Sequence, residues 1–177
     1  MKKGFTMIEL IFVIVILGIL ASVAIPRLAG TRDDAEISAA LGNLRTLVSD
    51  ANVHYVTKGT LTGAKWGGIT SVPLTTTASS GTAATSAADT DATTAANLKV
   101  GDVNDCITVT LVEKTTGTNA TPAHIQFTKK SSAAGVCATV LESNPLKPYL
   151  EAKIPGVTVN NGGAIPIGST ASIYTTN

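Results

Sequence analysis

The most pronounced pattern in the chain is a run of apolar side chains close to its start. From Phe5 to Ile25 the only polar residues are Thr6, Glu9 and Ser22. About 20 consecutive apolar residues in a helix are enough to cross the hydrocarbon core of a bilayer. The pattern therefore predicts a membrane-spanning helix, with the basic residues that precede it on the cytoplasmic side.

After Pro26 the pattern changes from wholly apolar to amphipathic. Apolar residues recur at steps of three and four, as on one face of a helix: Ile37, Leu41, Leu44, Val48, Ala51 and Tyr55. Lys58 and Gly59 are a typical helix end, a cation followed by a residue that tolerates the left-handed conformation. We expect one helix of about 50 residues, with an apolar half over 5–26 and an amphipathic half over 27–59.

Two residues interrupt the apolar half, Gly18 and Pro26. Proline removes a backbone donor and clashes with the preceding turn, so it kinks or locally opens a helix. The residues alone leave both outcomes open.

Residues 60–177 have the pattern of a β-rich head. Apolar residues alternate with polar ones at three places, around 107–111, 125–127 and 136–140, and turn residues separate them. A further hairpin is predicted over 157–167, with its turn at Asn160-Asn161-Gly162-Gly163. We expect an α+β fold, in which a long N-terminal helix packs on a small antiparallel sheet.

Residues 74–97 form a Thr/Ala/Ser tract with almost no large apolar side chain. Such a composition predicts a surface loop that buries no core. Exposed hydroxyls there are candidates for O-glycosylation. Before this tract, 60–73 is predicted to be loop, with Trp66 packing against the helix.

Composition excludes several functions. A net charge of +1 over 177 residues gives no strong attraction to nucleic acid, and the lysines at 129, 130, 147 and 153 make only a thin basic patch. His54 and His124 lie near no nucleophile motif, so we expect no enzyme and no catalytic residue. Four loop acids, Asp89, Asp91, Asp102 and Asp105, lack the spacing of a calcium loop. We therefore expect no metal or cofactor, with calcium kept as the open alternative.

Glu9 is the most unusual residue of the apolar run. A carboxylate inside a membrane costs roughly 2.5–3.5 kcal/mol on insertion scales, and the sequence suggests no nearby partner. The positive amine of a second copy of the chain would neutralise it, which points to a subunit that polymerises.

Two simpler interpretations compete. One is a secretory signal cut after Ser22-Val23-Ala24, although Glu9 would then sit in an apolar region that normally carries no charge. The other is an ordinary uncleaved anchor. Neither accounts for Glu9.

Gly4-Phe5-Thr6-x-x-Glu9, followed by the apolar run, resembles the N-terminal motif of type IV pilins and of the related pseudopilins of type II secretion. The resemblance covers about the first 55 residues. It implies that residues 1–4 are a leader, that a prepilin peptidase cuts between Gly4 and Phe5, and that the new amine of Phe5 is methylated. It also implies that Glu9 neutralises a Phe5 amine during assembly, and that approximately residues 18–26 unwind in the filament.

Cys106 and Cys137 are the only two cysteines. In an exported protein this count predicts one disulfide, and a loop of about 30 residues would gain roughly 3–4 kcal/mol in the chain-entropy model. Pilins commonly contain such a bond near the chain end, whereas major pseudopilins usually lack it, so the pair favours a pilus.

The function implied by the resemblance is a structural subunit of a type IV pilus, the major pilin. The alternative is a pseudopilin of a type II secretion or competence system. A membrane-anchored binding protein or enzyme is a third possibility, from a different class. The expected partners are further copies of the chain, the prepilin peptidase and the assembly machinery. The expected location before assembly is the inner membrane. After assembly, the expected location is an extracellular filament or one that spans the periplasm.

Overall fold

The computed structural model describes residues 4–76, 85–117 and 120–168, except for the side chains of 26–29. It has a first helix, α1 (Met7–Lys58), followed by a mixed head: α2 (Trp66–Ile69), β1 (Leu74–Thr76), β2 (Ala96–Val100), β3 (Val103–Val112), β4 (His124–Lys129), α3 (Val136–Glu142), a 3-10 turn (Asn144–Leu146), α4 (Lys147–Leu150) and β5 (Gly162–Pro166). The chain divides into two compact units, Met1–Ala35 and Glu36–Asn177.

The five strands form one antiparallel sheet in the order β1-β2-β3-β4-β5. Leu98 pairs with Ile107, Val109 with Phe127 and Leu111 with Ile125. These pairs place apolar side chains in rows on one face, which is how an antiparallel sheet covers a core. The predicted α+β class is confirmed.

The core of the second unit lies between that sheet face and the C-terminal half of α1. Fully buried helix residues are Ala40, Leu44, Leu47 and Ala51. Ile37, Leu41, Val48 and Tyr55 are partly buried beside them. The predicted amphipathic stripe is therefore correct in period, although its centre includes Ala40 and Leu47, which the prediction omitted.

Polar side chains of α1 and β3 bind the loops of the head. Glu36 Oε2 accepts from Gly101 N–H at 3.0 Å, and Asp50 Oδ2 accepts from the Thr70 hydroxyl at 2.7 Å. Glu113, just after β3, accepts from Leu61 N–H at 2.6 Å and from the Thr60 hydroxyl at 3.0 Å. These bonds satisfy loop backbone groups that the core does not reach.

The end of α1 is as predicted. The helix ends at Lys58, and Gly59 adopts φ +73° with its N–H on Tyr55 O. The backbone of the single chain is helical through both Gly18 and Pro26, and the unwinding of 18–26 in the filament stays a prediction.

The structure corrects the prediction of a third strand at 136–140. This segment is helix α3, with Cys137, Val140 and Leu141 buried. Their spacing of three and four residues is helical. The alternation of Val136, Ala138 and Val140 was too short to separate the two periods.

The predicted hairpin over 157–167 is also wrong. Residues 157–159 form no strand, whereas Gly162–Pro166 is β5 and pairs with β4. Asn161 adopts φ +56° and gives its side-chain amide to Lys129 O at 2.9 Å. The turn chemistry therefore positions β5 on a distant strand instead of closing a local hairpin.

The Thr/Ala/Ser tract contributes to the core, contrary to the prediction. It contains β1 and the start of β2, and Ala87, Ala92 and Ala96 are fully buried. Small side chains fit where the backbone approaches the core closely, so a tract without large residues still packs. Residues 77–84, and with them part of the predicted loop, lie outside the described residues.

Candidate functional site: the N-terminal segment

Thr6 and Glu9 form a reciprocal pair at the start of α1. Glu9 Oε2 accepts from both the N–H and the hydroxyl of Thr6, each at 2.8 Å. Glu9 N–H donates in turn to Thr6 Oγ1 at 3.4 Å. Thr6 directly precedes the first helical residue, so the two residues form a capping box, in which backbone donors of the first turn are satisfied.

This pair corrects the expectation that Glu9 has no partner nearby. The partner is Thr6, three residues before it, and the spacing Thr-x-x-Glu was the signal that could have revealed it. Both donors bond Oε2, and among the described residues nothing donates to Oε1.

The third polar residue of the apolar run is also bonded internally. The Ser22 hydroxyl donates to Ile19 O at 2.7 Å. Side chains that bond within their own helix leave few polar atoms unsatisfied in a hydrocarbon environment. The run is therefore suited to lipid, or to a bundle of other helices, despite its three polar residues.

The apolar side chains of this segment are exposed, from 41% at Ile16 to 90% at Phe5. Among the described residues, α1 is the one helix long and apolar enough to cross a membrane. A helix that is apolar all round is stable only when lipid or protein covers it. The apolar side chains named here are therefore not covered by the rest of the described chain.

Gly4 and Phe5 precede the helix in an exposed stretch that is neither helix nor strand. A Cβ added at Gly4 would meet no atom within 4 Å. The structure thus gives no internal reason for a glycine at this position, which agrees with a requirement imposed by another molecule. The basic residues of the leader lie outside the described residues.

The disulfide joins Cys106 to Cys137, with a Cα–Cα distance of 5.7 Å. Cys106 lies inside β3 and Cys137 in α3. The predicted pairing is confirmed, and the bond connects the sheet to the helix that precedes β5.

The other candidate residues are dispersed. His124 is buried with Nδ1 at 2.8 Å from Pro122 O, and both cysteines are bonded to each other. The described part of the chain contains no group of three or more His, Cys, Asp or Glu side chains that could hold a metal ion. Asp105 lies on β3 and pairs with Lys130 at 2.8 Å, and Asp91 accepts from the Thr93 hydroxyl and N–H.

Comparison with known proteins gives matches to part of the chain. Type II secretion system core protein G of Dickeya chrysanthemi is 38% identical over 53 residues, which are 30% of this chain and 35% of that protein. The protein of the same name from Pseudomonas aeruginosa is 34% identical over 53 residues, which are 30% of this chain and 37% of that protein.

The matched segments cover only about a third of these relatives, and no solved structure gives a significant match to the chain. Residues 1–25 match the family described as the prokaryotic N-terminal methylation motif. The resemblance carried by Gly4, Phe5, Thr6 and Glu9 is therefore confirmed: this chain begins with that motif.

Proposed function

We propose that this protein is a membrane-anchored subunit that polymerises into a filament of the type IV pilin class. The observation that carries the proposal is the methylation motif on an apolar helix whose side chains are exposed. Copies that leave the bilayer can cover these side chains only with one another. A prepilin peptidase that cuts between Gly4 and Phe5 and methylates Phe5 is the corresponding processing partner.

Within that class, we infer a pseudopilin of a type II secretion system. The relatives that match the chain are named as components of that system. They support this alternative better than the pilus favoured by the sequence. The inner membrane, with the N-terminus in the cytoplasm, is the proposed location before assembly.

A pilus subunit stays as the second candidate because of the disulfide between Cys106 and Cys137. Deleting the chromosomal gene for this protein distinguishes the secretion role from the pilus role. Loss of enzyme secretion with no change in surface filaments supports the secretion role, whereas loss of extracellular filaments with normal secretion supports the pilus.

Glu9 has two roles in this proposal. It caps α1 through Oε2, and its charge attracts the amine of Phe5 in another copy. Breaking one partner of a buried ion pair typically costs about 3–5 kcal/mol, so loss of the charge should impair assembly even where the helix is intact.

Two substitutions separate these roles. Glu9→Gln keeps a capping acceptor, because glutamine also serves in capping boxes, but removes the charge. Thr6→Val removes the hydroxyl of the cap and keeps the charge. We expect the Glu9→Gln variant to insert into the membrane and to be cleaved normally, yet to be depleted from filaments. The Thr6→Val variant should still enter filaments, in an amount between those of Glu9→Gln and the wild type.

The measurement is the amount of subunit in sheared filaments divided by the amount of subunit in the membrane of the same cells. Where the filaments are too short to shear, the subunit is overexpressed to lengthen them. Normal assembly of Glu9→Gln would show that the charge is not the docking group. Insertion without assembly in wild type would instead favour a membrane-anchored protein of another class.

A further inference from the structure

A cavity of about 590 Å³ opens in the head where β4, α4 and the segment before β5 meet. Three lysines border it, Lys129, Lys147 and Lys153, together with one carboxylate, Glu151. Its size lies within the range of about 300–1,000 Å³ that is usual for small-molecule sites. Three of the four lysines that form a thin patch in the sequence are therefore gathered around one concavity.

The charges of this cavity are not balanced. Lys129 Nζ lies 3.7 Å from Glu151 Oε1, and the Lys129 side chain is only 22% exposed. Lys147 and Lys153 form no ion pair with any residue that the structure describes. Three cations against one anion leave an excess of two positive charges in a concave surface, which concentrates the field on an anionic ligand.

The wall of the cavity is fixed by the backbone. Lys129 N–H donates to Asn161 O at 2.8 Å, and the Asn161 side-chain amide donates to Lys129 O at 2.9 Å. Asn161 holds a left-handed conformation, φ +56°, which is uncommon outside glycine. This wall of the cavity is thus preorganised at the end of β4, which lowers the cost of ordering it on binding.

The remaining lining has both hydrogen-bonding and apolar groups. Asn144 offers an amide at the rim, and Pro148 and Leu150 offer apolar surface. Glu151 can accept hydrogen bonds from hydroxyl groups, but it repels a second negative charge. The site therefore suits a ligand with one carboxylate, several hydroxyls and an apolar ring face, and suits a chain of phosphates less well.

We propose that this cavity binds a uronic acid unit of an acidic polysaccharide. Lys147 and Lys153 hold the sugar carboxylate, Glu151 and Asn144 bind its hydroxyls, and Pro148 lies against the ring. The proposal does not depend on polymerisation, because single subunits carry the whole site.

Calorimetric titration of the full chain in a non-ionic detergent at low salt tests the site. The probe is trimannuronate, and β-1,4-mannotriose has the same ring skeleton with the carboxylates replaced by hydroxymethyl groups. We expect trimannuronate to bind at least about tenfold tighter, because charge-assisted hydrogen bonds are stronger than neutral ones. Equal affinity for the two sugars would overturn the proposal.

A matched pair of double variants tests the lysines. Lys147→Gln with Lys153→Gln should weaken trimannuronate binding by about tenfold or more. Lys99→Gln with Lys114→Gln removes the same charge outside the cavity and should change it by less than about twofold. The Trp66 emission spectrum checks that each variant is folded. Equal loss in both pairs would show that only net charge matters, and would refute the site.

Glu151→Gln distinguishes sugar from phosphate. Loss of the negative charge favours both anions, but loss of the strongest hydroxyl acceptor affects only the sugar, so we expect the affinity for trimannuronate to fall relative to that for inorganic phosphate. A gain in affinity that is as large for trimannuronate as for phosphate would contradict the role of Glu151. A single-stranded oligodeoxynucleotide that binds more tightly than trimannuronate, through the same lysines, would assign the cavity to phosphate and overturn the sugar proposal.

Discussion

Thr6 and Glu9 show how a carboxylate is accommodated at the start of an apolar helix. Two donors from Thr6 converge on one oxygen of Glu9, and a cap of this type stabilises a helix by about 1 kcal/mol. The second oxygen has no donor among the described residues. One side chain can thus serve helix formation before assembly and ion pairing during it.

At Gly4 we predict that a large side chain blocks processing without disturbing the fold. A Cβ there meets nothing within 4 Å, so Gly4→Leu should leave the structure intact while excluding the peptidase. Intact-mass measurement should show a chain that still includes residues 1–4, whereas the wild type should begin at Phe5. Wild-type protein that begins at Ile25 would instead indicate an ordinary signal peptidase.

Glu113 makes stability depend on pH. Burial raises the pKa of this carboxyl, but hydrogen bonds from Leu61 N–H and the Thr60 hydroxyl outweigh it, and the pKa lies below its ordinary 4.5. A depressed native pKa adds stability above pH 4.5 that is lost as the pH falls through the native value.

We therefore predict that Glu113→Gln lowers the free energy of unfolding by about 1 kcal/mol at pH 7, and that this difference shrinks as the pH falls below 4.5. Urea titrations followed by the emission of Trp66, the only tryptophan, measure both values. A difference that stays constant with pH would mean that the charge of Glu113 is not what binds the loop.

At the scale of elements, β5 depends on two glycines. A Cβ at Gly162 would collide with Phe127 O, and one at Gly163 would collide with Tyr149 O and lie 2.8 Å from Ala152 N. These glycines let β5 pair with β4 on one side while α4 approaches closely on the other. The pair of residues that indicated a turn in the sequence is instead a point of close backbone approach.

Accordingly, Gly163→Ala should lower the free energy of unfolding by about 1–3 kcal/mol, because neighbouring backbone must move. The matched control is Gly68→Ala in α2, where a Cβ meets nothing within 4 Å, and this change should be within about 1 kcal/mol of wild type. Urea titration of both variants measures these free energies of unfolding. Equal values for Gly163→Ala and Gly68→Ala would show that the backbone around β5 adjusts freely to the added methyl group.

At the scale of the whole molecule, the chain combines a unit that has a buried core with a unit whose apolar side chains are exposed. All buried core residues among those described lie at or beyond Ala40, so the head contains its own core. Among the described residues, the apolar half of α1 contributes no buried side chain to that core, and under the proposed function lipid or other copies cover it.

We predict that a chain lacking residues 1–29 folds but does not polymerise. Its unfolding free energy should stay within about 1 kcal/mol of the full chain, since the buried core residues among those described all lie at or beyond Ala40. Circular dichroism, the Trp66 transition and size-exclusion chromatography in detergent-free buffer measure this. A truncated chain that is unfolded would show that the head depends on the membrane half.

Much of the fold was predictable from periodicity. The apolar run, the end of α1 before Gly59, the stripe around Leu44, and strands β3 and β4 follow from patterns long enough to separate a period of 3.6 from a period of 2. The disulfide followed from a count of two cysteines. The short segments failed: α3 has only seven residues, and its alternating valines fit either period.

The sequence by itself determined the N-terminal motif, the membrane-length helix and the fold class, because these depend on local order along the chain. Only the tertiary structure decided that β5 pairs with β4 and that Ala87 and Ala92 lie in the core. It also decided that three lysines and one glutamate surround one cavity. The reason is physical, because strand pairing and burial depend on which distant segments meet in the folded chain. An alanine or a glycine in the sequence does not show which backbone will approach it, and only the fold shows that neighbour.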